Sequence, residues 1–409
     1  MKCRHCGTEL QHPFLDLGSA PPSNAYLPAQ ALRAPETWYP LRLLVCENCW
    51  LVQTEDHAGR EALFTDDYAY FSSFSTSWLA HAETYVQAVQ SRFGLDSQSC
   101  VVEVASNDGY LLQYVQAAGI PCYGIEPTAS TANAARAIGI DVISRFFGVV
   151  LANELAGAGR QADLMVANNV LAHVPDINDF LAGFAKLLKP QGVATFEFPH
   201  LLQLVRQCQF DTVYHEHYSY LSLTAVQRIF AVNRLEVFDV QILPTHGGSL
   251  RVFAQPSHTG TQSCQRSVQA VLDVEHAAGM TLPGFYDDLQ RQAIRIKHEL
   301  LSFLLECADR GQTVAGYGAA AKGNTLLNFA GVREDLLAYV VDKNPAKQDK
   351  FLPGSRIPIH APEHLLIEKP DYVLILPWNL KDEVMAQLAP VRDWGAKFVT
   401  AVPKLQVVP

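Results

Sequence analysis

Hydrophobic spacing changes character several times along the chain, and each change marks an element. From about Trp78 to Phe93 the pattern is helical, and it leads into the apolar run Cys100-Val101-Val102-Glu103-Val104, which predicts a buried strand. Ala105-Ser106-Asn107-Asp108-Gly109 then forms a small-residue turn that opens a helix through Tyr110-Leu111-Leu112. A second strand, Cys122-Tyr123-Gly124-Ile125, ends in the carboxylate of Glu126; an Ala-rich helix over 129–138 and a third strand around Asp141-Val142-Ile143 follow. This βαβαβ succession predicts the nucleoside-binding half of a doubly wound sheet, with Glu126 suited to the two hydroxyls of a ribose. Farther on, a mixed linker and helix region over 257–284 precedes a long amphipathic helix over 287–310. A fresh strand then enters the turn Gly316-Tyr317-Gly318, and Ala338-Tyr339-Val340-Val341-Asp342 ends the strand after it, so a second Rossmann-like unit is expected. Neither half contains a repeat or a low-complexity segment.

Composition narrows the function classes. The 409 residues carry 31 Lys+Arg against 41 Asp+Glu, a net charge of −10, and 49% are hydrophobic, which suits two or three folded domains. No stretch approaches the ~20 apolar residues of a membrane span, and Met1-Lys2-Cys3 begins no apolar signal core, so a soluble cytoplasmic protein is expected. The acidic total and the absence of a basic run argue against broad nucleic-acid binding.

Four of the nine cysteines form the pairs Cys3-Arg-His-Cys6 and Cys46-Glu-Asn-Cys49. Two residues between paired thiolates let both reach one tetrahedral ion, so a closed structural Zn²⁺ site is expected, with no open position for chemistry. A redox pair and a disulfide are the competing readings, and His5 is an alternative ligand inside the first knuckle. Cys100, Cys122, Cys208, Cys264 and Cys307 read as core residues. Between the knuckles, Ala20-Pro21-Pro22-Ser23-Asn24-Ala25-Tyr26-Leu27-Pro28 reads as ordered loop of unassigned use.

The first turn of the central unit lacks the three glycines that let a backbone close on a pyrophosphate; its acidic and amide groups favour a cationic or zwitterionic ligand. Glu103-x-x-Ser106-Asn107-Asp108-Gly109, with Glu126, resembles the first motifs of class I S-adenosylmethionine methyltransferases. In that resemblance residues 162–174 and 192–200 supply the fourth and fifth strands, Asn169 lies beside the methionine end of the donor, and Asn168 is a further cofactor-binding candidate. No acidic residue is evident beside the adenine, so Phe146 or Phe147 packs on the base instead.

After the fifth strand, Tyr214-His215-Glu216-His217-Tyr218-Ser219-Tyr220 concentrates aromatic, imidazole and carboxyl groups. An extended segment would put Tyr214, Glu216 and Tyr218 on one face and the histidines on the other; a bend would let any of them converge. Imidazole suits proton abstraction near neutral pH, and a satisfied hydrogen-bond cluster is the bland alternative. This segment, with Thr245-His246-Gly247-Gly248-Ser249-Leu250-Arg251, resembles the sugar C-methyltransferases of deoxysugar biosynthesis, such as the tetronitrose C-3 methyltransferase. The likeness covers essentially the whole chain. It implies a His base acting at the carbon beside a 4-keto group of a nucleotide-linked hexose. Carried over, the base is His217, assisted by Glu216, Tyr214 and Tyr68, with Tyr70 a less suitable match; His173 and His200 lie toward the sugar. In the C-terminal unit the likeness implies contacts to the nucleotide diphosphate, for which Lys322, Asn324, Asp342 and Trp378 are candidates, while Lys343, Lys347 and Lys350 read as a solvated face.

The resulting expectation is an α/β protein with a zinc-binding module over 1–75, a methyltransferase domain over 76–260 and a Rossmann-like sugar-nucleotide-binding domain over 261–409. A monomer is compatible with three domains enclosing one cleft. The alternatives are an O- or N-methyltransferase on a related sugar metabolite and a non-catalytic sugar-nucleotide-binding protein. A zinc-ribbon nucleic-acid methyltransferase is remote: Asn168-Asn169 is followed by Val170-Leu171, not by a base-flipping Pro-Pro-aromatic sequence.

Overall fold

A computed structural model describes residues 1–57, 59 and 71–409. Three sheets organise them, and each follows from the patterning above.

The central sheet has seven strands in the order Leu235–Leu243, Ser249–Pro256, Leu188–Pro199, Ala162–Asn168, Val101–Val104, Cys122–Ile125 and Val142–Ile143. Only Ser249–Pro256 runs antiparallel to its neighbours, the arrangement of the class I methyltransferase fold. Strands covered on both faces read as unbroken apolar runs, as Val101–Val104 does, where every residue is buried. Helix Thr76–Phe93 packs on one face; Ser75 caps it by accepting from the Trp78 amide, and Gly94 at φ 62° ends it in the left-handed conformation. Gly109 is required by packing as well as by its φ of 80°, because a Cβ there would lie 3.1–3.3 Å from Ile138, Ile140 and Ala135.

A second, C-terminal sheet has six strands in the order Ile359–His360, Val340–Val341, Val314–Tyr317, Tyr372–Ile375, Lys397–Thr400 and Gln406–Val408, parallel except for the last. It is fed by helix Leu289–Asp309, whose Leu289, Ala293, Ile296, Leu300 and Leu304 recur at helical spacing and are buried. Each large member of that stripe contributes about 1.5–3 kcal/mol by burial.

The N-terminal sheet was the least predictable. His12–Ala20, Tyr39–Val45 and Val52–Thr54 form an antiparallel meander, and its fourth strand, Ser219–Tyr220, comes from the Tyr/His-rich segment. Val52 pairs with Tyr220 and Gln53 with Ser219. Alternation decides which way this small sheet faces: Leu41, Leu43 and Val45 join the core shared with helix Leu289–Asp309, while Leu44 joins the core of the central sheet. The module is therefore wedged between the two larger units. Among the described residues no helix is long and apolar enough to cross a membrane.

Candidate functional site

The four paired cysteines converge, their Sγ atoms all within 4.8 Å of one another. Cys3 and Cys49 lie 3.5 Å apart, as do Cys6 and Cys46, which excludes S–S bonds and is close to the ~3.8 Å edge of a tetrahedron with 2.3 Å Zn–S bonds. In each knuckle the residue after the second cysteine takes positive φ and donates to the first cysteine's carbonyl: Gly7 to Cys3 at 3.0 Å, Trp50 to Cys46 at 2.7 Å. The residues fit Zn²⁺. His5 turns away from the cluster, its Nδ1 2.9 Å from Asn178 Oδ1. The site also reaches the Tyr/His-rich segment, because Gln53 Nε2 donates to Cys3 Sγ at 3.3 Å while Gln53 itself pairs with Ser219.

A cavity of about 350 Å³ opens at the carboxyl ends of the central strands and is closed by the C-terminal unit. On one side stand Asn107, Glu126, Phe146, Phe147, Asn168 and Asn169. Glu126 accepts from the backbone amides of Asn107 at 3.0 Å and Thr128 at 2.9 Å, and from the Thr128 hydroxyl, which leaves acceptor capacity toward the cavity. Burial raises its pKa above the usual carboxylate range. Phe147 is fixed edge-on against Phe180 and Phe184. Asn107 and Asn169 hold positive φ, at 50° and 55°. Glu103, Ser106, Asp108 and Gly109 lie behind this wall. Asn107 Oδ1 and Asp108 Oδ2 accept the amides of Ser72 and Ser73, so the turn also positions the segment leading to helix Thr76–Phe93. Glu103 is buried beside the Tyr110 phenol, and that burial pushes its pKa well up. Among the described residues, Asp108 Oδ1, Asn168 Oδ1 and Asn169 Oδ1 are buried without a donor. In the wall itself, the amide oxygens of Asn168 and Asn169 and the carboxylate of Glu126 suit a ligand that brings N–H groups and positive charge, and these residues fit S-adenosylmethionine.

On the opposite side the Tyr/His-rich segment bends. The His217 amide donates to the Tyr214 carbonyl at 2.9 Å, and Tyr214, Glu216 and His217 all line the cavity. His217 Nδ1 donates to the Thr212 carbonyl at 3.0 Å, so the tautomer leaves the Nε2 lone pair available. Tyr214 stacks on the imidazole at 3.9 Å between centroids, and His173 meets it edge-on at 4.6 Å. Burial, reinforced by His173, holds His217 well below the usual imidazole range, so it is neutral at pH 7. His173, pushed down to about 4 by burial, donates from Nδ1 to the Glu216 carbonyl at 2.9 Å. His215 turns outward to the carbonyls of Tyr39 and Pro40.

Lys322 lines the cavity from the C-terminal unit, with its Nζ 2.6 Å from Asn379 Oδ1 and 4.8 Å from the Trp378 ring. Asn324, Asp342 and Trp378 do not line it: Asn324 donates to the Ser23 carbonyl, Asp342 faces Lys347 at 3.7 Å, and Trp378 Nε1 donates to buried Asp211 at 2.7 Å. Burial raises Asp211 to about 6. His200 is also off the cavity, paired with Glu275 at 2.7 Å. Tyr68 and Tyr70 lie outside the described residues.

Several cavity residues escaped the sequence reading, four of them with side chains of consequence. Lys347 is one correction: it belongs to no solvated face, since its side chain is 12% exposed and its Nζ donates to the Ala319 carbonyl at 2.8 Å. His246, at φ 53° and pushed down to about 4 by burial, meets Asn169 Nδ2 at 3.2 Å; Trp78 and Asn24 complete the set. His246 and Asn24 both stood in motifs quoted from the sequence; Trp78 and Lys347 carried no distinguishing signal.

Family profiles match the chain in three consecutive pieces: a zinc binding domain over residues 3–64, a methyltransferase domain over 78–239 and a C-methyltransferase C-terminal domain over 244–403. The C-methyltransferase NovU of Streptomyces niveus is 32% identical over 407 residues, covering 100% of this chain and 96% of that one. Among solved structures, the PH0226 protein of Pyrococcus horikoshii OT3 is 14% identical, covers 46% of this chain and 95% of its own, and gives a TM-score of 0.39. The Burkholderia thailandensis 1,6-didemethyltoxoflavin-N1-methyltransferase, bound to S-adenosylhomocysteine, is 14% identical with coverages of 51% and 96% and a TM-score of 0.36. With similarity to a C-methyltransferase along the full length, and the zinc-binding, methyltransferase and C-terminal pieces in one order, this S-adenosylmethionine-dependent methyltransferase belongs to the C-methyltransferase family.

Proposed function

We propose that the protein methylates C-3 of a nucleotide-linked 4-keto-deoxyhexose through an enolate generated by His217. The observation that carries this reading is a neutral, buried imidazole anchored through Nδ1, with Nε2 left as a base, in the same cavity as Glu126 and Asn169. Carbon becomes nucleophilic only when a neighbouring carbonyl acidifies its C–H bond. A base at C-3 and donors at the C-4 oxygen are therefore the groups the reaction needs. In this reading His217 Nε2 takes the C-3 proton, the C–H electron pair delocalises onto the C-4 oxygen, and Tyr214, Glu216 and Tyr68 orient base and sugar. Bound S-adenosylmethionine supplies the electrophilic methyl group. Asn107, Glu126, Asn168 and Asn169 hold the donor, Phe146 and Phe147 border its base, and Lys322 with Lys347 suits the anionic diphosphate. No metal chemistry is assigned to the closed four-sulfur site.

The test is mass spectrometry after incubation with S-adenosylmethionine and a 4-keto-6-deoxyhexose nucleotide in deuterated water. Gain of one methyl with loss of the C-3 hydrogen is expected. Methyl gain with that hydrogen retained would mean O- or N-methylation and overturn carbon as the acceptor. For the donor side, Glu126→Gln should weaken S-adenosylmethionine binding on the order of 10–100-fold by calorimetry, because a charge-assisted acceptor is lost. Zinc content should not change.

A further inference from the structure

The Pro-rich stretch between the zinc knuckles has no part in the chemistry assigned above, yet it reaches the centre of the cavity. Asn24 Nδ2 lies 2.8 Å from Glu216 Oε1 and 2.8 Å from Oε2, so one amide group spans the whole carboxylate. Asn24 lines the cavity, and Glu216 is 1% exposed. The stretch is pinned on both sides of Asn24. Asn324 Nδ2 donates to the Ser23 carbonyl at 2.6 Å; Tyr26 Oη donates to the Ala319 carbonyl at 2.5 Å and reaches Asn24 Oδ1 at 3.3 Å. Leu27 and Phe351 exchange backbone hydrogen bonds at 2.9 and 2.8 Å. Pro21 and Pro22 restrict the approach to Asn24 further by fixing φ.

We propose that Asn24 is a positioning residue for the reaction, a neutral clamp that fixes the orientation of the Glu216 carboxylate and tethers it to the C-terminal unit. The inference rests on the function proposed above for its catalytic meaning, though not for its geometry. The choice of an amide is chemically specific. A lysine or arginine in the same place would neutralise Glu216, whereas an amide offers two N–H donors and leaves the negative charge available to a sugar hydroxyl or to the imidazolium formed at His217. The pinned loop also explains how a zinc module remote in sequence takes part in the site: its loop holds one catalytic side chain while its sheet holds the strand that follows.

Among the described residues, the titratable groups around Glu216 include Tyr26 from the same loop, Lys347 packed on Tyr26, His173, Lys322 across the cavity, and Tyr214, His215 and His217 of its own segment. Hydrogen bonds to a carboxylate favour its charged form, so removing Asn24 should raise the Glu216 titration midpoint. The full chain labelled with ¹³C-glutamate is titrated by difference infrared spectroscopy, with Glu216→Gln as the blank. Asn24→Ala should move the midpoint up by about one pH unit or more, and Asn24→Asp, which sets a like charge against Glu216, should move it farther. The matching kinetic experiment is a double-mutant cycle. Asn24→Ala should lower kcat on the order of 10–100-fold in the wild-type background, with a smaller effect on KM, and less than about twofold in the Glu216→Gln background. A midpoint unmoved in both variants, or equal losses in both backgrounds, overturns the inference. Because the titration needs no substrate, failure of the wild-type enzyme to methylate a 4-keto sugar nucleotide would overturn the proposed function and leave this measurement decisive on its own.

Discussion

Replacing His217 with asparagine should reduce turnover by roughly 10²–10⁴-fold while leaving S-adenosylmethionine affinity within about twofold. Asparagine is the informative substitution because its amide nitrogen falls near the position of the imidazole Nδ1. The donor to the Thr212 carbonyl is thereby retained, and only the Nε2 lone pair is deleted. Entry of solvent deuterium at C-3, measured without methyl transfer, should fall in parallel, because the exchange and the methylation share the proton-abstraction step. The wild-type pH profile carries a matching sign. His217 must be neutral to act, and burial with His173 at its edge displaces its pKa downward, so protonation of the base should not reduce turnover as pH falls from 8 to 6.5. A loss centred near the ordinary imidazole value of 6.5 would mean that another histidine governs the rate, and near-normal turnover by His217→Asn would remove His217 as the base.

How much of this was legible depended on how local each signal was. The strand Val101–Val104, the carboxylate ending the next strand and the paired cysteines are encoded within a few residues, and the central sheet and the four-sulfur cluster follow from them, as the C-terminal sheet follows from the strand and glycine turn around Gly316-Tyr317-Gly318. The Tyr/His-rich segment was ambiguous for a physical reason. Its shape is set by partners far away in the chain, with Tyr218 and Thr54 joined through the backbone at 3.2 Å and His217 held by Thr212. Alternation along seven residues cannot register such a bend. Lys347 illustrates the converse: three lysines in eight residues resemble a charged surface, and partners from elsewhere in the chain, the Tyr26 ring and the Ala319 carbonyl, turn one of them inward. His200, Asn324, Asp342 and Trp378 carried polar chemistry at plausible strand ends, but the structure uses His200, Asn324 and Trp378 to join elements around the cavity and Asp342 to hold its own turn through the Asn344 amide.

Stripping zinc, or substituting Cys3 by serine, should cost turnover on the order of 10²-fold even though the metal is assigned no chemical step. The reason lies in the N-terminal sheet. Cys3 Sγ accepts from Gln53 Nε2 at 3.3 Å, Arg4 N donates to Gln53 Oε1 at 2.9 Å, and Gln53 pairs with Ser219 two residues beyond His217. Next to it, Thr54 Oγ1 donates to the carbonyl of His217 itself at 3.2 Å. Loss of the ion leaves four thiols in a small cluster without the bonds that hold both knuckles, so strand Val52–Thr54 is released and the base moves with it. A displacement of about 1 Å in a reacting group is enough for a 10²-fold loss. Donor binding should suffer much less, because Glu126 and Asn169 are carried by turns of the central sheet and are held by the Asn107 and Thr128 amides and by His246. Zinc content, calorimetric S-adenosylmethionine affinity and turnover measured on one preparation separate the two effects. Gln53→Leu supplies the intermediate case, since it keeps the cysteines and removes the polar link to the strand; full zinc content with lowered turnover is the expected pair of readings. If the metal-free protein retained turnover within about threefold, the strand pairing alone would hold His217, and the zinc would stabilise only the knuckles that bind it.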